Sequence, residues 1–170
     1  IELVTVEAFP EAMEKFKAGE CDLVTTDGSG LVGNRAKEDK MNDWAIFPAT
    51  PISKEPLGPV YRSNDSQWAD IVNWTVYATF IADEYGVTRA NVDSFDYEAN
   101  PEMGRLTGKN DGELQTSMGL SADAYYNVIK QVGNYDEIYS KNLNPVGLYR
   151  EGSANALWTD GGLIYAPPAR

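Results

Sequence analysis

The chain has 170 residues, of which 42% are hydrophobic, and this is sufficient for a packed globular domain. Its 14 basic and 26 acidic residues give a formal net charge of −12, which disfavours binding to nucleic acid or to anionic lipid. Histidine is absent and cysteine occurs once, so histidine-dependent catalysis, imidazole metal ligation and a disulfide within the chain are excluded.

The first 50 residues alternate between strand-like and helix-like patterns. Alternating and β-branched residues predict strands at 1–6, 22–26 and 44–49. A helix is predicted over 9–19, because proline is tolerated in a first turn and glycine commonly ends a helix. A second helix is predicted over 31–37. This β-α-β-α-β order predicts an α/β fold with a parallel sheet.

The middle of the chain opens with a proline-rich stretch, 51–62, which predicts an extended crossover or an edge strand. A long helix follows, with Asn64 as its cap, Gln67 completing a capping box and Tyr85 near its end. Its aromatic and aliphatic stripe predicts core packing. Residues 86–120 are rich in glycine, asparagine and aspartate, which predicts an irregular insertion with short helical pieces.

The last third begins with a predicted helix over 122–132. A second capping box opens at Asn134 and predicts the next helix. The tail, 145–170, has no regular period and is rich in glycine, proline and aromatic residues. We expect it to wrap along the surface, held by Trp158 and Tyr165.

A glycine-spaced motif follows the second predicted strand. Gly28, Gly30 and Gly33 have the GxGxxG spacing of dinucleotide-binding loops, but Asp27 directly precedes them. A carboxylate there would repel a pyrophosphate, so nucleotide binding is disfavoured. At the end of a parallel strand, Asp27 could instead bind a ligand ammonium group or cap the following helix, and the residues alone leave both interpretations open.

Five longer segments of the sequence carry a resemblance to known proteins. They are FKAGECDLVTTDGSGL, ISKEPLGPVYR, DIVNWTVYA, NVIKQVGNYDEIYSKNL and NALWTDGGLIYAPPAR. Together they resemble the general L-amino-acid-binding proteins of bacterial ABC importers, which are periplasmic solute-binding proteins of the polar amino-acid family. The resemblance covers essentially all 170 residues and only the C-terminal half of such a protein.

The resemblance implies a type II-like solute-binding fold, in which two α/β lobes close on the ligand. Residues 1–54 would form most of lobe 2 without its first strand, and 55–62 would be the crossover between lobes. Residues 63–170 would return to pack on lobe 1, with the insertion at 86–120 and the surface tail at 145–170. The remaining N-terminal half of the protein, the ligand and a membrane permease are the implied partners.

The resemblance also implies the residues that bind the ligand. Asp27 would bind the α-amino group of an L-amino acid, and Thr26, Gly28 and Ser29 would line the site. The groups that bind the ligand carboxylate would lie outside this chain. We therefore expect weak or no amino-acid binding by the 170 residues alone, because one exposed ion contact contributes about 1 kcal/mol.

Four further expectations accompany this assignment. Cys21 is either a small buried residue or, as the resemblance implies, half of a disulfide with a cysteine outside the chain. No catalytic residue, cofactor or metal is expected. The location is expected to be periplasmic by resemblance, although the chain opens without a signal-peptide pattern. Dimerisation through an exposed lobe 1 face is also a hypothesis.

Two other functional classes stay open. An enzyme on the same two-lobed fold would need a convergent carboxylate pair, for which Glu20 and Asp27 are the candidates. A sensory module would use the same lobes for signalling, but the ending YAPPAR is more typical of a natural C-terminus than of a linker.

Overall fold

The computed structural model describes residues 1–53 and 56–169, and it divides into two compact units, Ile1–Leu57 and Gly58–Arg170. The predicted boundary at 54/55 lies outside the described residues. The division between the units falls within the stretch 55–62, whose role as a crossover stays a prediction. The helices of the described residues are α1 Phe9–Lys17, α2 Gly28–Lys37, α3 Ser66–Glu84, α4 Pro101–Leu106, α5 Leu114–Ser117, α6 Ala124–Val132, α7 Tyr135–Leu143, η1 Asn144–Val146 and η2 Trp158–Asp160.

In the first unit, α1 follows the sequence prediction closely. Pro10 occupies the first turn, where no helical hydrogen bond is lost, and Glu11 lies at the positive end of the helix. The helix ends before Gly19, whose φ of +75° is a left-handed conformation that glycine adopts without strain. Phe16 packs edge-on against Trp44 with ring centroids 5.2 Å apart. The region after α2 is thereby connected to α1.

The second helix begins three residues earlier than predicted. It starts at Gly28 rather than at residue 31, because Asp27 is the extended N-cap residue and its carbonyl accepts a hydrogen bond from Leu31 N at 3.0 Å. Lys17 Nζ on α1 lies 3.1 Å from Glu38 Oε1 just beyond α2. This exposed ion pair joins the ends of the two helices.

The three predicted strands of the first unit are not observed in the described residues. Residues 1–6, 22–26 and 44–49 carry no ladder hydrogen bonds, and much of their apolar surface is exposed. β-Propensity measures how well a side chain fits a pleated, half-buried surface, and it does not supply the neighbouring strand. The predicted parallel sheet is therefore absent from the part of the chain that the structure describes.

In the second unit, the long helix α3 uses a different cap from the predicted one. Asn64 adopts φ +69°, which places Asp65 at the N-cap, where its Oδ1 accepts a hydrogen bond from Trp68 N at 2.9 Å. Gln67 does not complete a capping box, because its side chain donates to the carbonyl of Met118 at 2.8 Å. The helix ends at the predicted position, and Gly86 beyond it has φ +66°.

The segment 86–120 contributes much of the core. Val87, Val92, Met103 and Leu106 are fully buried there, although the composition predicted an irregular insertion. Its two short helices, α4 and α5, are joined by the buried Gln115, whose Nε2 donates to two carbonyls of the α4 end. The irregular backbone therefore packs as tightly as the longer helices around it.

The helices α6 and α7 meet the predictions more closely. Helix α6 begins two residues after the predicted position, and α7 opens with the predicted capping box at Asn134. Asn134 Oδ1 accepts from Glu137 N at 2.9 Å, and Glu137 Oε2 accepts from Asn134 N at 3.1 Å. Helix α3 packs against both α6 and α7. The main core lies among α3, α4 and α6.

The tail is held to the core by residues other than the predicted ones. Trp158 and Tyr165 contact each other but are 51% and 59% exposed. The buried apolar positions of the tail are Ala156, Leu157, Ala166 and Ala169. The two aromatic rings therefore mark the outer surface of the tail, and its small residues mark the inner one.

Candidate functional site

Asp27 lies at the N-cap of α2 with its carboxylate exposed to solvent. Its backbone is extended, with φ −53° and ψ 140°, and its side chain makes no capping hydrogen bond. An exposed N-cap aspartate that caps its helix would accept from the backbone N–H groups of the first turn. Of the two interpretations that the sequence left open, helix capping is therefore not what the side chain does in this structure.

The other candidate ligand residues lie directly beside Asp27. Thr26 directly precedes it at a bend, and Gly28 and Ser29 lie in the first turn of α2. All three are exposed, so the structure brings the four predicted residues together at one accessible helix end. The first-turn N–H groups of an α-helix have no partner within the helix, so this end combines a carboxylate acceptor with backbone donors.

The glycine motif does not form a loop. Gly28, Gly30 and Gly33 all lie inside α2. A Cβ atom at Gly28 or Gly33 would meet nothing within 4 Å, and one at Gly30 would lie 3.2 Å from Thr26 Cγ2. A dinucleotide fingerprint needs its first glycine in the turn before the helix and close backbone approaches at the others. The geometry therefore agrees with the sequence argument against nucleotide binding.

Two neighbouring residues bear on the alternative interpretations. Glu20, half of the carboxylate pair that an enzyme would need, forms an ion pair with Lys15 Nζ at 3.1 Å. Glu20 raises the pKa of that lysine above its usual range through a hydrogen bond and its charge. Cys21 is a part-buried free thiol. Its pairing with a cysteine outside the chain stays a prediction.

The second unit contains a charge cluster around a buried arginine that the sequence did not reveal. Arg150 is 9% exposed, and its Nη1 lies 2.5 Å from Asp83 Oδ2, a charge contact rather than an aligned hydrogen bond, and 3.2 Å from Asp136 Oδ1. Its Nε donates to the carbonyl of Asn155 at 2.7 Å, and its guanidinium lies over the Tyr135 ring. Burial raises the pKa of Asp83, and the arginine opposes that rise. The cluster connects α3, α7 and the tail.

Two kinds of feature are absent from the described residues, 1–53 and 56–169. No group of three or more cysteine, aspartate or glutamate residues is arranged to hold a metal ion there. Within the same residues, no helix has both the length and the apolar character to cross a membrane.

Known proteins resemble almost the whole of this chain. No family model matches it. It is 45% identical over 171 residues to the general L-amino acid-binding periplasmic protein AapJ of Rhizobium johnstonii, covering 98% of this chain and 49% of that protein. It is also 45% identical over 164 residues to the glutamate/glutamine/aspartate/asparagine-binding protein BztA of Rhodobacter capsulatus, covering 94% of this chain and 47% of that protein.

A solved structure extends the comparison to the fold. It is an ABC transporter periplasmic binding protein from Brucella ovis with glutathione bound, 41% identical to this chain. The match has a TM-score of 0.89 and covers 98% of this chain and 52% of that one. This similarity confirms a solute-binding fold, and the helix-rich chain spans about half the length of the curated relatives it matches. The resemblance inferred from the sequence is thus confirmed. Over nearly its whole length, the chain is homologous to amino-acid-binding periplasmic proteins of ABC transporters, and it covers about half the length of each.

Proposed function

We propose that this chain is part of the substrate-binding component of an amino-acid ABC importer, in which Asp27 binds the α-ammonium group of the ligand. One observation carries the proposal: in a chain homologous to amino-acid-binding proteins, the Asp27 carboxylate is exposed at the start of α2 and makes no capping bond. A carboxylate in this position accepts charge-assisted hydrogen bonds from an ammonium group. Thr26, Gly28 and Ser29 would line the same site.

The finer fold assignment is also a proposal. In the type II-like arrangement, residues 1–54 would belong to lobe 2, 55–62 would cross between lobes and 63–170 would pack on lobe 1. The three extended, unpaired segments of the first unit support this, since β-prone segments with exposed apolar side chains gain stability when neighbouring strands pair with them. The rest of a longer protein would supply those strands and the groups that bind the ligand carboxylate.

The biological setting follows from the same relatives. We propose a periplasmic location, delivery of the ligand to a membrane permease, and no catalysis. The engagement of Glu20 with Lys15 supports the last point, because it occupies one of the two candidate catalytic carboxylates with a lysine. Ligand capture would be a closure of two lobes, which is favoured because the ligand contacts both lobes only in the closed state.

Glutathione is a second candidate ligand, and the Brucella ovis structure favours it. Its γ-glutamyl residue carries a free α-ammonium and α-carboxylate, the same head group as a free amino acid. The Asp27 contact would therefore serve either ligand. The two candidate ligands differ only beyond this head group. There the site would have to accept either an amino-acid side chain or the rest of the glutathione tripeptide.

Thermal shift and calorimetry on the natural, longer protein that contains this chain would test the proposal. We expect L-amino acids or glutathione to raise the melting temperature, and sugars and NAD to leave it unchanged. Asp27→Asn should weaken binding at least about 10-fold, because a hydrogen bond to a charged group contributes about 1.5–3 kcal/mol. Asp22→Asn, at an exposed aspartate five residues earlier, is the matched control and should bind normally. Equal affinity of both variants would refute the role of Asp27.

The 170-residue chain itself provides a second test. We expect calorimetry to show no micromolar binding of any L-amino acid, since the exposed contact at Asp27 contributes about 1 kcal/mol by itself. Light scattering at high concentration would show whether the chain dimerises through exposed apolar surface, as the sequence suggested. A monomer at every concentration would contradict the dimer.

A further inference from the structure

A small hollow of about 200 Å³ lies between the end of α3 and the last residues of the described tail. It is far from the first-unit candidate site in sequence and belongs entirely to the second unit. Its walls combine carboxylates, aromatic rings and prolines. The residues that carry the argument are Glu84, Tyr85, Glu102, Trp158, Tyr165 and Pro167.

Two exposed aromatic rings line the hollow. The rings of Trp158 and Tyr165 meet edge-on, with centroids 6.0 Å apart and an interplanar angle of 77°. They are 51% and 59% exposed although the turn between them is closed by hydrogen bonds, among them Trp158 N to Ile164 O at 2.9 Å. Backbone hydrogen bonds therefore order the turn that carries both rings, and about half of each side chain stays accessible to a ligand.

Two carboxylates line the same hollow. Glu102 is part-buried, and its two oxygens accept from Tyr85 Oη at 2.9 Å and from Ala169 N at 2.7 Å. Glu84 is exposed, and the described part of the chain offers it no ion pair. Burial, the hydrogen bond to Glu102 and the charges of both glutamates raise the pKa of Tyr85. The nearby cation Arg105 partly offsets this negative charge and donates to the carbonyl of Ala169 at 3.4 Å.

We propose that this hollow binds a guanidinium group, either of free arginine or of an arginine side chain on a partner. Aromatic faces attract cations, and a planar guanidinium also stacks on them. The carboxylates that line the same hollow complement its charge. Small-molecule pockets usually measure about 300–1,000 Å³, so this hollow suits a single group rather than a whole larger ligand.

Nuclear magnetic resonance on the 170-residue chain would test this directly. Acetyl-arginine amide is the probe, because it carries the guanidinium but neither the α-ammonium that Asp27 would bind nor a carboxylate. Acetyl-citrulline amide, nearly the same shape without charge, is the control. We expect saturable shifts of the Trp158 indole and Tyr165 ring with the arginine probe, and about 5-fold weaker binding of citrulline. Equal binding of the two probes would overturn the proposal.

Matched variants would assign the binding to this hollow. Trp158→Ala should weaken it about 5-fold and Glu84→Gln about 3-fold, because each removes one group that attracts the cation. Trp68→Ala replaces a tryptophan that is also 51% exposed but lies at the start of α3, and it should bind as the unchanged chain does. Wild-type affinity in both Trp158→Ala and Glu84→Gln would refute the site.

The source of the guanidinium can be separated with the same measurement. An arginine-containing peptide that binds about 10-fold more tightly than acetyl-arginine amide would indicate a partner chain, whereas equal affinities would indicate free arginine. Either result supports the proposal. Asp27→Asn should leave all of these titrations unchanged. A failure to bind guanidinium in this hollow would therefore not count against the amino-acid site at Asp27, and a failure of the amino-acid site would not count against the hollow.

Discussion

The two units of the chain differ sharply in how they use their apolar residues. In the first unit, the described hydrophobic side chains that are buried are Met13 and Val32, while Ile1, Leu3 and Phe47 are 125%, 79% and 67% exposed. In the second unit, a continuous core holds twelve buried residues around α3, α4 and α6. The second unit therefore has the packing of an independently stable domain, and the first depends on contacts that these residues do not make with one another.

Charged groups show the same contrast. The first unit has ion pairs on its surface, such as Lys40 with Asp43 at 2.9 Å, whereas the second unit buries Arg150 against Asp83. Exposed pairs contribute little because water already solvates both charges, and buried pairs matter because removing one partner leaves the other desolvated. Ion pairs with similar distances between their charged atoms are therefore expected to contribute differently to the free energy of unfolding in the two units.

The largest expected effect is the loss of the buried cation. Arg150→Ala should lower the free energy of unfolding of the second unit by about 3–5 kcal/mol, because Asp83 is left buried without its partner. Lys40→Ala, in the exposed pair, should change stability by less than about 1 kcal/mol. Urea denaturation, combined with hydrogen exchange of α3 amides, measures both.

Acid should reduce the loss of unfolding free energy that Arg150→Ala causes. Burial already raises the pKa of Asp83, and loss of the arginine raises it further, so the folded variant takes up a proton more readily than the unfolded chain. The destabilisation should therefore be smaller at pH 5 than at pH 8. A cost that is equal at the two pH values, or equal to that of Lys40→Ala, would contradict the role assigned to this cluster.

Two methionines provide a matched test of core packing. Met103, in the second unit, is fully buried, and Met13, in the first, is 6% exposed. Met103→Ala should cost about 2–5 kcal/mol, because it leaves a cavity in a continuous core. Met13→Ala should cost less, since few other side chains are buried around it. Equal losses in urea denaturation would show that the first unit has a core of its own.

Strong alkali should destabilise the second unit through Tyr125. Its hydroxyl is buried without a hydrogen-bond partner in the described residues, and burial raises the pKa of Tyr125 to about 12. The unfolded chain loses this proton near pH 10, before the folded chain does, so stability is full below pH 10 and falls above it by about 2 kcal/mol. In Tyr125→Phe, the drop between pH 10 and 12 should be smaller by that amount, and an unchanged drop would contradict the assignment.

Local signals in the sequence predicted most of the helices. The features that the sequence failed to predict depend on backbone conformation or on contacts between distant residues. The stop at Gly19 and the capping box at Asn134 depend on a few neighbouring residues, and both are confirmed. The cap of α3 was assigned one residue too early, because the left-handed φ of Asn64 cannot be read from composition. Strand pairing requires partners distant in sequence. For that reason the pattern of 1–6 predicted a strand, although these residues have no neighbouring strand to pair with in the described part of the chain.

The candidate site divides in the same way. Asp27 and its neighbours are consecutive, so the sequence could place them together at a helix start, while their role in binding depended on a resemblance. Arg150, Asp83 and Asp136 are brought together from three elements. A charged residue that is buried among aromatic and acidic groups looks the same in sequence as a solvated one, so no sequence signal distinguished this cluster.

The smallest expected effects compare the two N-caps. Asn134 Oδ1 accepts from Glu137 N at 2.9 Å and its Nδ2 donates to the carbonyl of Val87 at 3.0 Å, whereas the Asp27 side chain makes no capping bond. Asn134→Ala should cost about 1–2 kcal/mol, and Asp27→Ala less than about 0.5 kcal/mol. Thermal denaturation of the 170-residue chain measures both.

The Asp27 result has a functional meaning beyond stability. A residue whose side chain makes no capping hydrogen bond, in a position where aspartate commonly caps, has that side chain available for a ligand. If Asp27→Ala cost as much as Asn134→Ala, the carboxylate would be engaged by main-chain amides in solution, and the proposed ammonium contact would lose its acceptor. A neutral Asp27→Ala, together with lost ligand binding in the longer protein, would separate binding from folding at this single residue.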